Sequence, residues 1–170
     1  MPHPSDQPLL DAYDEYADAI FRHCLFRVRD RGHAQELMQD TFLRALEAHR
    51  KGSEIQNMRA FLYRIAHNLI IDSYRRDHGE SSLEEMAETV GFDPPDESQN
   101  PVRDFAGSEI LERLQEVAEP YRTAVVMRYV DGLDPGDIAD LLKVSANVVS
   151  VRIHRGLKRL GLLLEAHPKA

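Results

Sequence analysis

Two amphipathic segments joined by a short polar loop, within residues 35–76, constrain this chain more than any other feature. In the first, Leu37, Met38, Thr41, Phe42, Ala45 and Leu46 recur at helical spacing and leave Glu36, Gln39, Asp40, Arg44 and Glu47 on the other face. In the second, Phe61, Leu62, Ile65, Ala66, Leu69 and Ile70 make the stripe, and Arg59, Arg64, His67, Arg75 and Arg76 remain as polar or basic positions. The spacing predicts two packed helices. Their outer faces differ: one offers carboxylates and amides, the other mostly positive charge. That contrast suits one surface for a protein and one for nucleic acid.

Ahead of this pair, residues 2–8 are polar and proline-containing and are expected to fray. Over residues 9–29, Leu9, Tyr13, Tyr16, Ala17, Ile20, Phe21, Cys24, Leu25 and Val28 recur every three or four positions, which predicts a first long helix. Gly32 signals a turn before a second helix from Gln35, and Gly52 and Ser53 mark a loop after which Asn57 is placed to cap the third. Over residues 77–107 the pattern breaks down. Gly79, Gly91, Pro94, Pro95 and Pro101, with nine acidic residues against Arg103 alone, read as an acidic linker with one short helix near residues 83–90. Beyond it, Ser108 caps a helix with Ile110, Leu111, Leu114, Val117 and Ala118 as its stripe, and Pro120 starts another that ends at Asp131 and Gly132. The expectation is an all-α chain of two small helical domains, residues 9–76 and 108–164, joined by that linker.

Residues 134–160 read as a helix-turn-helix. Asp134-Pro135-Gly136-Asp137 supports helix initiation, and Ala139 is small enough for a close crossing. Lys143 and Val144 form the turn, and Ser145 caps a last helix whose core side is Val149, Ile153, Leu157 and Leu160. From Ser145 to Leu160 there are Arg152, Arg155, Lys158 and Arg159 and no acid. A helix of that kind matches the width of the major groove and brings peptide N–H groups toward phosphate.

The run ELMQDTFLRAL (residues 36–46), followed by RAFLYRIAHNLIIDSYRR (residues 59–76), resembles region 2 of the extracytoplasmic-function (ECF, group IV) sigma factors of bacterial RNA polymerase. Residues 114–160 resemble region 4 of the same family. The resemblance implies a promoter-specificity factor. Glu36, Gln39, Asp40 and Arg44 would dock on the clamp helices of the polymerase beta-prime subunit. Ser53, Gln56, Asn57, Arg59, Tyr63, Arg64, His67, Arg75 and Arg76 would meet the minus-ten element, where capture of an unstacked base needs cations and groups that stack or hydrogen-bond. In that set Tyr63 and Asn57 are expected to face outward. Region 4 would bind the beta flap and read the minus-thirty-five element through Ser145, Asn147, Val148, Ser150, Val151, Arg152, His154, Arg155 and Lys158. Several positions depart from the family pattern. Lys143 replaces the common glycine, Val148 a threonine, Ser150 a lysine and Val151 a serine, which shifts contacts toward Asn147, Ser150, Arg152, His154 and Arg155. The family also implies an anti-sigma factor as partner. The valines keep a second reading open, a sigma-like adaptor that sequesters an anti-sigma factor without binding promoters.

A net charge of −8 sits badly with phosphate binding until its distribution is considered. Acids and bases balance at 11 each over residues 1–76, stand at 13 to 2 over 77–119 and at 5 to 8 over 120–170, so the acidity is central and both ends are free to meet DNA. The sequence has no HExxH, no paired Cys and His spacing and no phosphate-cradling glycine loop, so neither an enzyme nor a metal or cofactor is expected. Cys24 falls in an apolar stripe and is expected to fill core space. The histidines at 23, 33, 49, 67, 78, 154 and 167 read as surface or capping residues. No apolar run reaches the ~18 residues of a membrane span. Residues 1–10 lack the blocks of a signal peptide, so the expected compartment is the cytoplasm.

Overall fold

The computed structural model describes residues 3–28, 30–78 and 108–166. The linker residues 79–107, with the short helix expected near 83–90, lie outside the described residues. By contact, the chain divides into two compact units, Met1–Glu80 and Ser81–Ala170. All regular elements among the described residues are helical.

The first unit holds α1 (Gln7–Val28), α2 (Arg31–Arg50) and α3 (Met58–His78). All three pairs of helices pack against one another. Ile20, Cys24 and Phe26 of α1 meet Ala34, Leu37, Met38 and Ala45 of α2 and Leu62, Ala66 and Ile70 of α3 in the buried centre. Cys24 is fully enclosed, as a small apolar side chain in a stripe should be. Thr41 is buried too, and its hydroxyl donates to the carbonyl of Leu37 at 2.7 Å, which removes the cost of an orphaned polar group.

Three local expectations are corrected here. The start does not fray: Pro4–Asp6 form a short turn, and the carboxylate of Asp6 is buried against the guanidinium of Arg50 at 2.6 Å. The second helix begins at Arg31, because the Asp30 side chain accepts from the backbone N–H groups of Gly32 and His33 and pulls both into its first turn. His23 and His67 are buried, not surface residues: each bridges α1 and α3, as described below. Asn57 caps α3 as expected, its Oδ1 accepting from the N–H of Ala60 at 3.1 Å.

The second unit contains α4 (Ser108–Glu116), α5 (Tyr121–Val125), α6 (Pro135–Leu142) and α7 (Ala146–Ala166). α5 runs on into a wider turn, Val126–Val130, in which the N–H of Asp131 reaches the carbonyl of Val126 at 2.9 Å. α7 is the spine: α4, α5 and α6 all pack on it. Val149, Ile153, Leu157 and Leu160 are buried as their spacing predicts. Gly156 sits where α7 crosses α5. A Cβ there would collide with Cγ2 of Val125 and lie 3.0 Å from the carbonyl oxygen of Tyr121, so only glycine lets the helices meet. Between α6 and α7, Lys143 takes a left-handed conformation (φ 57°, ψ 44°), and Ser145 then caps α7 through its hydroxyl, which accepts from the N–H of Val148 at 3.2 Å.

Candidate functional site

The structure brings most of the expected residues into three exposed or half-buried stripes, one per helix. On α2, Glu36, Gln39, Asp40 and Arg44 are all exposed and succeed one another at helical intervals, opposite the buried Leu37, Met38, Thr41 and Ala45. Leu43 lies among them and is 57% exposed, an apolar side chain held out into solvent. Beside it a groove of about 560 Å³ opens between α1 and α2, walled mainly by Leu9, Leu10, Tyr13, Phe42, Leu43 and Leu46, with Gln39, Asp6 and Arg50 at its edges. Tyr13 and Phe42 shape its floor, edge to face with ring centroids 4.9 Å apart. Sequence reasoning missed this groove. Leu43 was the available signal, because it stands off the apolar stripe of α2 with no partner of its own helix to bury it.

The second stripe joins the loop before α3 to the outer face of that helix. Ser53, Gln56 and Asn57 are exposed in the loop, and Arg64, Arg75 and Arg76 are exposed on α3, with Asn68 between them. Arg59 is half-buried, its guanidinium 5.5 Å from the ring centre of Tyr63. Tyr63 and His67 do not belong to the stripe. Tyr63 is 1% exposed and meets the ring of His23 edge-on at 5.3 Å, while Nδ1 of His67 accepts from Arg27 at 3.2 Å. The expectation that Tyr63 faces outward is therefore wrong, and the reason is register. Positions 63 and 67, one turn apart, meet His23 and Arg27 of α1, and burying the aromatic ring in that seam outweighs leaving its hydroxyl in water.

The third stripe lies along α7. Asn147 and Lys158 are exposed, Ser150 and His154 are half-buried, and the four follow at intervals of three and four residues, with Val148 and Arg155 flanking them half-buried. Ser145 is exposed and engaged in its cap. Val151 and Arg152 are corrections: they are 4% and 5% exposed. For Val151 the branched apolar side chain gains by leaving water. Burial lowers the pKa of Arg152, and the Glu119 carboxylate, with Tyr121, opposes that lowering. That carboxylate is a hub, since it also accepts from the N–H and hydroxyl of Thr123 and pairs with Arg122 at 3.1 Å. Arg159, which the sequence reading left out of the site, is exposed and lies 4.4 Å over the ring of Tyr121.

Electrostatics single out one further group. Hydrogen bonding from Arg50 holds the carboxyl of Asp6 at a pKa of about 2, well below its ordinary 3.8. The three stripes present a polar and apolar helix face, a cationic face with amides, and a helix face of small polar and basic side chains.

Comparison with known proteins gives these surfaces a context. The family model for sigma-70 region 2 matches residues 12–79, and that for sigma-70 region 4 matches residues 108–160. The chain is 27% identical over 161 residues to the ECF RNA polymerase sigma factor SigW of Bacillus subtilis, covering 88% of this chain and 85% of that one. It is 30% identical over 176 residues to the ECF RNA polymerase sigma factor SigE of Mycolicibacterium smegmatis, covering 95% of this chain and 65% of the relative. Among solved structures, the sigma factor RpoE of Bartonella quintana, in complex with the anti-sigma factor NepR, shares the fold with a TM-score of 0.71 at 16% identity, over 95% of this chain and 99% of that one. CnrH, solved with the cytosolic domain of CnrY, does so with a TM-score of 0.67 at 20% identity, over 95% and 90%. With region 2 and region 4 both present and in order, and with ECF relatives spanning nearly the whole chain, the protein belongs to the sigma-70 family of RNA polymerase sigma factors, among its ECF members.

Proposed function

We propose that this chain acts as a group IV ECF sigma factor in the cytoplasm, and that its three exposed stripes divide the work. As a promoter-specificity factor it binds core RNA polymerase and directs initiation at a restricted set of promoters. In this reading the outer face of α2, with Glu36, Gln39, Asp40, Arg44 and the neighbouring groove, seats the clamp helices of beta-prime. The 51–57 loop and Arg59, Arg64, Arg75 and Arg76 meet the minus-ten element, where amides hydrogen-bond an unstacked base and guanidiniums follow the backbone. α7 presents Asn147, Val148, Ser150, His154, Arg155 and Lys158 to the minus-thirty-five element, with Ser145 orienting its N-terminus, and the same unit meets the beta flap. The chain forms and breaks no covalent bond; the polymerase does that chemistry.

The observation that supports this most is the exposure of Glu36, Gln39, Asp40 and Arg44 on one face of a helix whose other face is fully spent in the core. We further propose a restraining partner that covers this face, of the kind the Bartonella quintana sigma factor has in NepR. The adaptor reading loses part of its ground, because Val151 is withdrawn from the surface where it would have replaced a DNA contact. The test is association with core polymerase. Asp40→Arg combined with Gln39→Ala is expected to weaken co-elution at least tenfold, and unchanged association would remove α2 from the interface.

A further inference from the structure

The groove beside α2 is closed at one end by a part of the chain that neither helix requires. Residues 3–6 fold over the last turn of α2 through several polar ties. Arg50 grips both carboxylate oxygens of Asp6, at 2.6 and 3.3 Å, and Nε2 of His49 donates to the carbonyl of Ser5 at 2.6 Å. The N–H of His3 donates to Asp6 at 3.0 Å and closes the turn. The Asp6 side chain is 3% exposed while that of Arg50 is 53% exposed, so the carboxylate is sealed in and the guanidinium stays at the rim. Both residues line the groove with Leu10, Tyr13 and Leu43. Gln39, one of the residues proposed for core binding, lines it too, so the groove continues that face. A channel with such an apolar lining fits the apolar face of an amphipathic helix.

We infer that the Asp6 and Arg50 pair is a positioning device for core binding: it fixes the N-terminal turn as the end wall of the groove, against which one amphipathic helix of the polymerase core seats. The inference rests on the reading of α2 as the core-binding helix. Neither residue belongs to the buried centre of the three-helix bundle, so their pairing shapes the surface. A preformed wall also spares the entropy of ordering the turn when the partner arrives.

The test measures affinity of the full chain for core polymerase by fluorescence anisotropy, with helix content checked by circular dichroism. Asp6→Asn and Arg50→Ala are each expected to weaken binding about tenfold, and the double variant no further than either alone, because both remove one device. Arg50→Lys, which keeps the charge, is expected to remain within about threefold of the parent. Wild-type affinity in Asp6→Asn overturns the proposal, as does additivity in the double variant or an Arg50→Lys as weak as Arg50→Ala. Should Asp6→Asn fail to fold, His49→Ala takes its place, since it removes the tie to the carbonyl of Ser5 that holds the same turn: weaker binding supports the proposal and unchanged binding overturns it. The Gln39 and Asp40 double variant separates the two readings. If it binds normally, the assignment of α2 is wrong; if it loses binding while Asp6→Asn and His49→Ala do not, only the wall is wrong.

Discussion

Lys143 is a residue in an uncomfortable place. Its backbone is left-handed at the end of α6, where a lysine costs about 1–2 kcal/mol and glycine is free of the penalty. Glycine returns part of that through a more flexible unfolded chain, so Lys143→Gly is expected to stabilise the second unit by about 0.5–1 kcal/mol, read as a higher denaturation midpoint at unchanged slope. A lower midpoint contradicts the strain. Gly156 is the opposite case: Gly156→Ala is expected to cost about 1–3 kcal/mol, because the crossing of α7 on α5 has no room for a methyl group. The residue types most misread from sequence were Tyr63, His67 and Arg152, all of which have a polar end that composition assigns to the surface. Tyr63 and His67 are held inside by partners on another element, His23 and Arg27, which no local pattern reveals. Tyr63→Ala is accordingly expected to destabilise the first unit by about 3–5 kcal/mol, a core loss and not a selective DNA defect.

At the scale of elements, what the sequence made legible was what short-range chemistry decides. Asn57 and Ser145 cap their helices, Pro135 opens α6, and the buried stripes of α2 and α7 fall where the spacing put them. The groove and its end wall were not legible, since they require knowing that the last turn of α2 lies beside residues 3–6. That contact has a pH signature. The folded pKa of Asp6 lies below its unfolded value, so its contribution to stability is fully present above about pH 4 and is lost as pH falls toward 2. Asp6→Asn is expected to be less stable than the parent at neutral pH, and the gap is expected to close over that acid range; a gap that persists at pH 2 contradicts the linkage. α3 makes a different prediction. Each of Arg64→Ala, Arg75→Ala and Arg76→Ala that removes a phosphate contact is expected to lower the salt slope of promoter binding by about 1, leaving stability within ~0.5 kcal/mol of the parent.

For the molecule as a whole, the charge distribution resolves an apparent conflict. A net charge of −8 belongs mostly to residues 77–119, whereas the cationic positions proposed for DNA sit on α3 and α7. In the proposed reading the first unit carries a protein-binding and a DNA-binding helix and the second a helix-turn-helix, two separate holds on a promoter. Sigma-70 region 2 and region 4 follow one another in that order along the chain. Run-off transcription by core polymerase from a randomised promoter library, with and without this protein, tests the claim most directly. The account predicts a small set of promoters transcribed only when the protein is present. Co-elution with core without any selective transcript, or no association with core at all, would contradict it.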